Sequence, residues 1–527
     1  MFDRNGLRIT ATVLITVLLA GCSVLSGDDS DEEQSIVVGT TSAPSVLDPA
    51  GAWDQSWELF RNVYQTLLHF PNSSSSPEPE AAKRCQFTDS ASKVYRCTLR
   101  EGLTFSNGNP LDARAVKYSL DRVLTIDAET GPAGLMGSLD RIETPAKNTV
   151  VFHLKKSDAT FPYVLATPAG SIVDPETYPA DTLLEGEKIA GSGPYTLEKY
   201  KANEIAVLKR NPDYQGAADI KNDSVTIDYF KSSRKMVAAF KRNELDITFR
   251  GLTPAQISDF QDATAEGNDN VELSEVVGTE IRYLVFNPKF DNAGNEAVRK
   301  AIAQLIDRKA LVRNVYNRTA EPLYSMVPAG LTGHTNAFFD VYGEPSRSKA
   351  ESLLRNAGFE EPVPLTLWYT TDRYGSTMQK EFEEIERQLE GSGLFEISVK
   401  GRPWNEFQEG YLNGEYPVFG RGWFPDFPDA DNYVTPFVGE KNALGTPYES
   451  ATLTEELLPQ SRRESDRGVA GHSFTKAQKI FAEDARLLPL WQGKVYVASH
   501  TDIAGVEWCI DPSTIMRMWE LHKKASW

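Results

Sequence analysis

The chain has 527 residues, 40% of them hydrophobic, with a formal net charge of −19 and a pI of about 5.0. That length allows two or three lobes with substantial cores. The excess of acid argues against nucleic acid as a partner, because phosphate binding needs a basic stripe, and a mean hydropathy of −0.38 describes a body that faces water.

At the N-terminal end Arg4 and Arg8 precede an apolar run from Ile9 to Leu19. A membrane span needs roughly 20 apolar residues, so residues 1–22 are predicted to be a secretory signal instead. The run ends in Leu19, Ala20, Gly21 and Cys22, which resembles the bacterial lipobox. The resemblance implies a diacylated Cys22 that anchors the chain outside the cytoplasmic membrane, extracellular or periplasmic. Residues 23–35 are polar and acidic, as expected of a tether with nothing to bury. No later apolar run is long enough to span a bilayer.

The body alternates strands and helices without internal repeats. A β-branched strand is predicted from Ser35 to Thr41, and Trp57, Phe60, Tyr64 and Leu67 predict an amphipathic helix over Ser56 to Phe70. Asn72 to Glu80 reads as a surface loop. Cys85 and Cys97 flank a polar turn and face each other across a predicted hairpin, a plausible disulfide in an oxidising compartment. Asp112 is placed to cap the helix carrying Val116, Leu120 and Val123. Strands are predicted at Thr149 to Leu154, at Tyr195 to Tyr200 paired with Ile205 to Lys209, and at Val225 to Phe230, before a helix from Ser233 to Arg242.

The second half opens with a strand at Ile281 to Phe286 and a helix with Val298, Ile302 and Leu305 on one face. Asp307 caps a further helix through Val315, and Ser346 caps one that ends at Gly358. Pro364 to Thr370, the stripe Met378, Phe382, Ile385 and Leu389, and Phe395 to Val399 predict a βαβ unit. A last helix over Ser473 to Leu488 leads to a strand from Leu490 to Ser499. Cys509 is left over, as a buried thiol.

One stretch, Gly420 to Phe437, shows neither period. Prolines at 425, 428 and 436 break it, yet it gathers Trp423, Phe424, Phe427, Tyr433 and Phe437 with Asp426, Asp429 and Asp431. A loop that concentrates rings and carboxylates lines a concave site or packs as an acidic turn.

Leu47-Asp48-Pro49, LREGLTFSNGNPLDARAVKYSLDRV from Leu99, GSGPYTLEKY from Gly191, LKRNPDY from Leu208, VRKAIAQLIDRKALV from Val298 and KAESLLRNAGF from Lys349 together resemble the family 5 extracellular solute-binding proteins of bacterial ABC importers. The resemblance covers nearly all of the chain after Cys22; Gln215 departs from it, standing where the family often has tryptophan. It implies an α/β fold with two lobes, of the class II periplasmic-binding-protein type, with an extra subdomain on the first lobe. Lobe I would be 36–75, 190–276 and 488–527, the extra subdomain 76–189, and lobe II 277–487. Trp423 and Asp426 match the family's Trp-x-x-Asp element, whose aspartate meets the α-ammonium of a peptide. Arg421 lies one residue from the family's position for a carboxylate-binding base, and is otherwise expected on the surface, while Phe424 would add a stacking ring. Asp429 and Asp431 are expected in turns or solvent. The implied partners are a peptide and the permease subunits of an ABC transporter, with the binding protein a monomer.

Other classes find less support. The chain has no G-x-S-x-G, H-E-x-x-H or C-x-x-C motif, and its six histidines show no metal-ligand spacing, so neither an enzyme nor a cofactor or metal protein is expected. A chelated nickel complex, or an oligosaccharide stacked on Trp423, Phe424 and Phe427, is the alternative ligand.

Overall fold

The computed structural model describes residues 34–524 apart from positions 73, 266, 268, 269 and 376. The predicted signal, most of the tether and Cys22 lie outside the described residues.

Among those residues eleven strands form one mixed sheet. Across it run Phe395–Arg402, Val363–Thr370, Val418–Trp423, Val271–Phe286, Leu487–His500, Ile247–Phe249, Ser35–Thr40, Ser224–Tyr229, Ile205–Arg210 and Tyr195–Lys201, with Ala320–Pro322 beside Leu487–His500. Val363–Thr370 and Phe395–Arg402 are parallel, as a βαβ unit with the helix Thr377–Gly391 between them requires. A separate antiparallel sheet orders Ala82–Phe87, Val94–Leu99, Thr149–Leu154 and Leu139–Ala146. Cys85 and Cys97 are direct partners in its first ladder and are joined as a disulfide. Closing a loop of that size stabilises by roughly 3 kcal/mol in the chain-entropy model.

The apolar residues divide into two large cores, which are the two lobes of the fold. One gathers Ile36, Phe60, Phe105, Phe152, Leu208, Val225 and Met516. The other gathers Ile281, Phe286, Ile302, Leu367, Phe382, Val418, Phe481 and Leu488. Val271–Phe286 and Leu487–His500 run from one core to the other as long paired strands, and their register breaks between Val277 and Ile281. There Gly278 passes so close to Gly493 that a Cβ would lie 2.6 Å from its carbonyl oxygen. Gln492 and Tyr433 donate to the carbonyls of Gly278 (2.8 Å) and Thr279 (2.6 Å).

Most predicted elements are present, with four corrections. The first helix covers Trp57–Val63 and stops there, although Tyr64 and Leu67 are buried as their spacing implies. The turn at Gly191 and Gly193 fills the place of its next turn: Gly193 N–H donates to the Val63 carbonyl, and a Cβ on Gly191 would sit 1.9 Å from that oxygen. The strand expected from Ile281 begins at Val271, its added half being half-exposed and polar on one face. The last long helix covers Arg467–Asp484, because Ala485 takes a left-handed conformation (φ 49°) before the strand starts at Leu487. Gly420 to Trp423, read as irregular, completes the strand Val418–Trp423. The predicted caps at Asp112, Asp307 and Ser346 all accept backbone N–H groups of their helices, and Cys509 is fully buried, which pushes its thiol well above the ordinary range.

Candidate functional site

The strand Val418–Trp423 pairs with Val271–Phe286, setting Trp423 opposite Ile281. Beyond it the prolines release the chain into a loop with two short 3-10 turns, Ala430–Tyr433 and Thr435–Phe437. The rings anchor this loop. Trp423 meets Phe437 edge-on at 5.0 Å, Phe437 packs on Tyr283 at 5.3 Å, and Phe427 reaches the first core to lie 5.9 Å from Tyr163.

The three loop acids are all buried, but they differ in partners. Asp429 takes a two-pronged bond from Arg467, with both N···O distances 2.8 Å. Asp431 is held in the same way by Arg462 at 3.1 and 2.8 Å, which keeps its carboxyl below the usual range despite burial. Both are turn residues as expected, Asp429 capping the turn Ala430–Tyr433 and Asp431 lying within it, but they are buried and ion-paired and do not face solvent. Asp426 pairs with no cation among the described residues. Its Oδ1 accepts the indole N–H of Trp53 at 2.8 Å, and its Oδ2 accepts the side-chain amide of Asn432 at 2.8 Å. Burial pushes its carboxyl up to about 6, because two neutral donors only partly offset desolvation.

Asn432 organises this corner. Its oxygen accepts both the Trp423 indole N–H and the Asp426 backbone N–H, each at 3.1 Å, while its nitrogen donates to the Asp426 carboxylate. One amide thus orients the tryptophan and the aspartate together. Phe424 stays 48% exposed beside Tyr374 (6.2 Å) and the Arg282 guanidinium (5.4 Å). Arg421 is buried, donating to the Ala443 carbonyl with its guanidinium 4.5 Å from the Tyr411 ring centre. It is neither a surface arginine nor a partner of Asp426. A cavity of about 530 Å³ opens against the same loop, bounded among others by Tyr163, Pro428, Asp429 and Arg467.

The structure thus brings Trp423 and Asp426 together through Asn432 and sets Phe424 at an exposed edge beside them in sequence. Asn432 was within reach of sequence reasoning, as an amide in the same loop. Trp53 was not, because 373 residues separate it from the carboxylate it meets.

Residues 76–445 match the model of the bacterial extracellular solute-binding proteins, family 5 (middle region). The chain belongs to that family. Among its relatives are the probable D,D-dipeptide-binding periplasmic protein DdpA of Escherichia coli K12, 25% identical over 522 residues (95% of this chain, 96% of the relative), and the dipeptide-binding protein DppE of Bacillus subtilis 168, 23% identical over 488 residues (87% of each). The periplasmic binding protein DppA of Helicobacter pylori, solved with the peptide STSA, superposes with a TM-score of 0.74 at 20% identity, covering 94% of this chain and 99% of that one.

Proposed function

We propose that this protein captures peptides with a free N-terminus between its two lobes and delivers them to the permease of an ABC importer. The observation that carries the reading is the isolated charge of Asp426, a buried carboxylate with neutral donors where its two neighbours in the loop have arginines. A ligand ammonium supplies the missing cation, through charge-assisted hydrogen bonds of roughly 1.5–3 kcal/mol each. Trp423 walls that end of the site and Phe424 offers a ring to the ligand. Arg421 is assigned a second place, as a base for the ligand's carboxylate if its bond to Ala443 is exchanged. The names of DdpA and DppE support a peptide as the ligand class. Capture and release need no reaction at the ligand, so we assign no catalytic step.

In this reading lobe I comprises 36–75, 190–276 and 488–527, lobe II 277–487, and the extra subdomain 76–189. The monomer is held at the outer face of the membrane by lipid on Cys22. No helix of the described residues is long and apolar enough to cross a membrane, so the anchor is the sole membrane attachment this reading needs. Cys22→Ser is therefore expected to move the protein from the membrane fraction to the soluble one and abolish fatty-acid labelling. Unchanged membrane retention of the variant would count against the anchor.

A thermal-shift panel of short peptides, cello-oligosaccharides and chelated nickel tests the ligand class. A bound solute at 100 times its Kd adds about 2.7 kcal/mol to stability. Stabilisation by peptides alone is the expected result; stabilisation by the sugars alone would transfer the site to oligosaccharides.

A further inference from the structure

The first lobe reaches Asp426 with the side chain of Trp53, and the geometry around it is that of a built platform. Asp48 accepts Arg122 in a two-pronged, fully buried ion pair and also caps the 3-10 turn Pro49–Gly51. Gly131 is pressed against that turn so closely that a Cβ would lie 2.3 Å from the Ala50 oxygen. The Ala52 carbonyl accepts the Trp57 indole N–H at 3.0 Å, and the Asp54 carboxylate caps Ser56 at 2.8 Å. Every residue flanking Trp53 is thus tied down. Trp53 itself projects, 44% exposed, with its N–H fixed on Asp426. Large exposed aromatic rings are otherwise few among the described residues, and another of them, Phe424, lies two residues from Asp426.

We propose that Trp53 is a specificity-determining residue of the ligand site: its indole N–H steadies Asp426 from the opposite lobe, and its ring face receives the first side chain of the ligand. The inference rests on the peptide reading above and narrows it to peptides whose first residue is apolar. The two halves of the indole do different work. The N–H satisfies one oxygen of a buried carboxylate, and both oxygens keep a free lone pair for an ammonium. The ring, rigid and amphipathic, offers flat apolar area at low entropic cost. An ammonium on Asp426 places the first α-carbon, and therefore its side chain, next to that ring.

Calorimetry on the purified full-length chain with the tripeptides Leu-Ala-Ala and Gly-Ala-Ala separates these roles. Wild type is expected to prefer the leucine peptide by about tenfold, as burial of one apolar side chain implies. Trp53→Ala should erase that preference. Trp53→Phe keeps a ring but no N–H, so it should retain the preference and weaken both peptides by about tenfold. Thermal unfolding without ligand checks that both variants are folded; the half-exposed site makes the phenylalanine variant the safer comparison. A preference that survives Trp53→Ala overturns the platform, and wild-type affinity in Trp53→Phe overturns the role of the N–H. Failure of the peptide reading looks different: neither tripeptide then binds wild type, and this proposal falls with it.

Discussion

Asp426→Asn should lower the affinity for a peptide with a free N-terminus by about 2–5 kcal/mol, since the ligand's ammonium is then buried without its counter-charge. The change is nearly isosteric, so folding should survive it. N-acetylation of the ligand should cost wild type a similar amount and the variant little more, because both changes remove the same pair. The four combinations, measured by calorimetry, give the coupling directly. Equal binding of free and acetylated peptides by wild type would exclude Asp426 as the ammonium partner.

The same residue sets a pH dependence. Burial holds its carboxyl at about 6, so below that pH it is protonated and binding a cation requires it to lose the proton. Affinity should therefore fall about tenfold per unit as the pH drops below 6, the α-ammonium itself remaining charged. For stability the sign is opposite. The folded value lies above the ordinary 3.8, so the native state holds the proton more tightly and ligand-free stability falls as pH rises through the window from about 4 to 6. Asp426→Asn should remove both slopes; a ligand-affinity slope that persists in the variant would assign it to another group.

Arg122→Met should destabilise the fold by about 3–5 kcal/mol, because it leaves a buried carboxylate without its cation. Arg122 donates to both oxygens of Asp48, at 2.8 and 2.5 Å, and to the carbonyls of Pro179 and Thr182. Its side chain is 2% exposed and that of Asp48 1%, so water cannot replace the bonds. Urea unfolding followed by fluorescence measures the loss. A cost below about 1 kcal/mol, the range of exposed pairs, would mean that the pair is solvated on the timescale of the measurement.

Regular elements were legible where one face is consistently apolar. The helices at 296–305, 308–316 and 377–391 repeat every 3.6 residues and the strands Val363–Thr370 and Phe395–Arg402 every 2, and Asp112, Asp307 and Ser346 announce helix starts by short-range chemistry. Elements decided by distant neighbours were not legible. Tyr64 has helical spacing, but the backbone of Gly191 and Gly193 occupies the next turn. Val271 to Glu280 is half-polar, and becomes a strand because Leu487–His500 lies beside it. The site divides in the same way. Trp423 and Asp426 stand out as a local motif, whereas the contrast among the three loop acids depends on Arg462 and Arg467, which arrive from another part of the chain. Nothing in the spacing of the carboxylates tells which one lacks an arginine.

The break in register between the two long strands has a consequence for timing. Gly278 and Thr279 make no ladder pairs there, and their carbonyls are taken up by Gln492 and Tyr433. Tyr433 follows directly on Asn432, the residue that orients Trp423 and Asp426. Any change in the angle at which the strands cross is therefore felt one residue away from that amide. In the peptide reading, a wider crossing angle is then expected to loosen the grip on the ligand as the cleft opens, which couples dissociation to the bend of the strands.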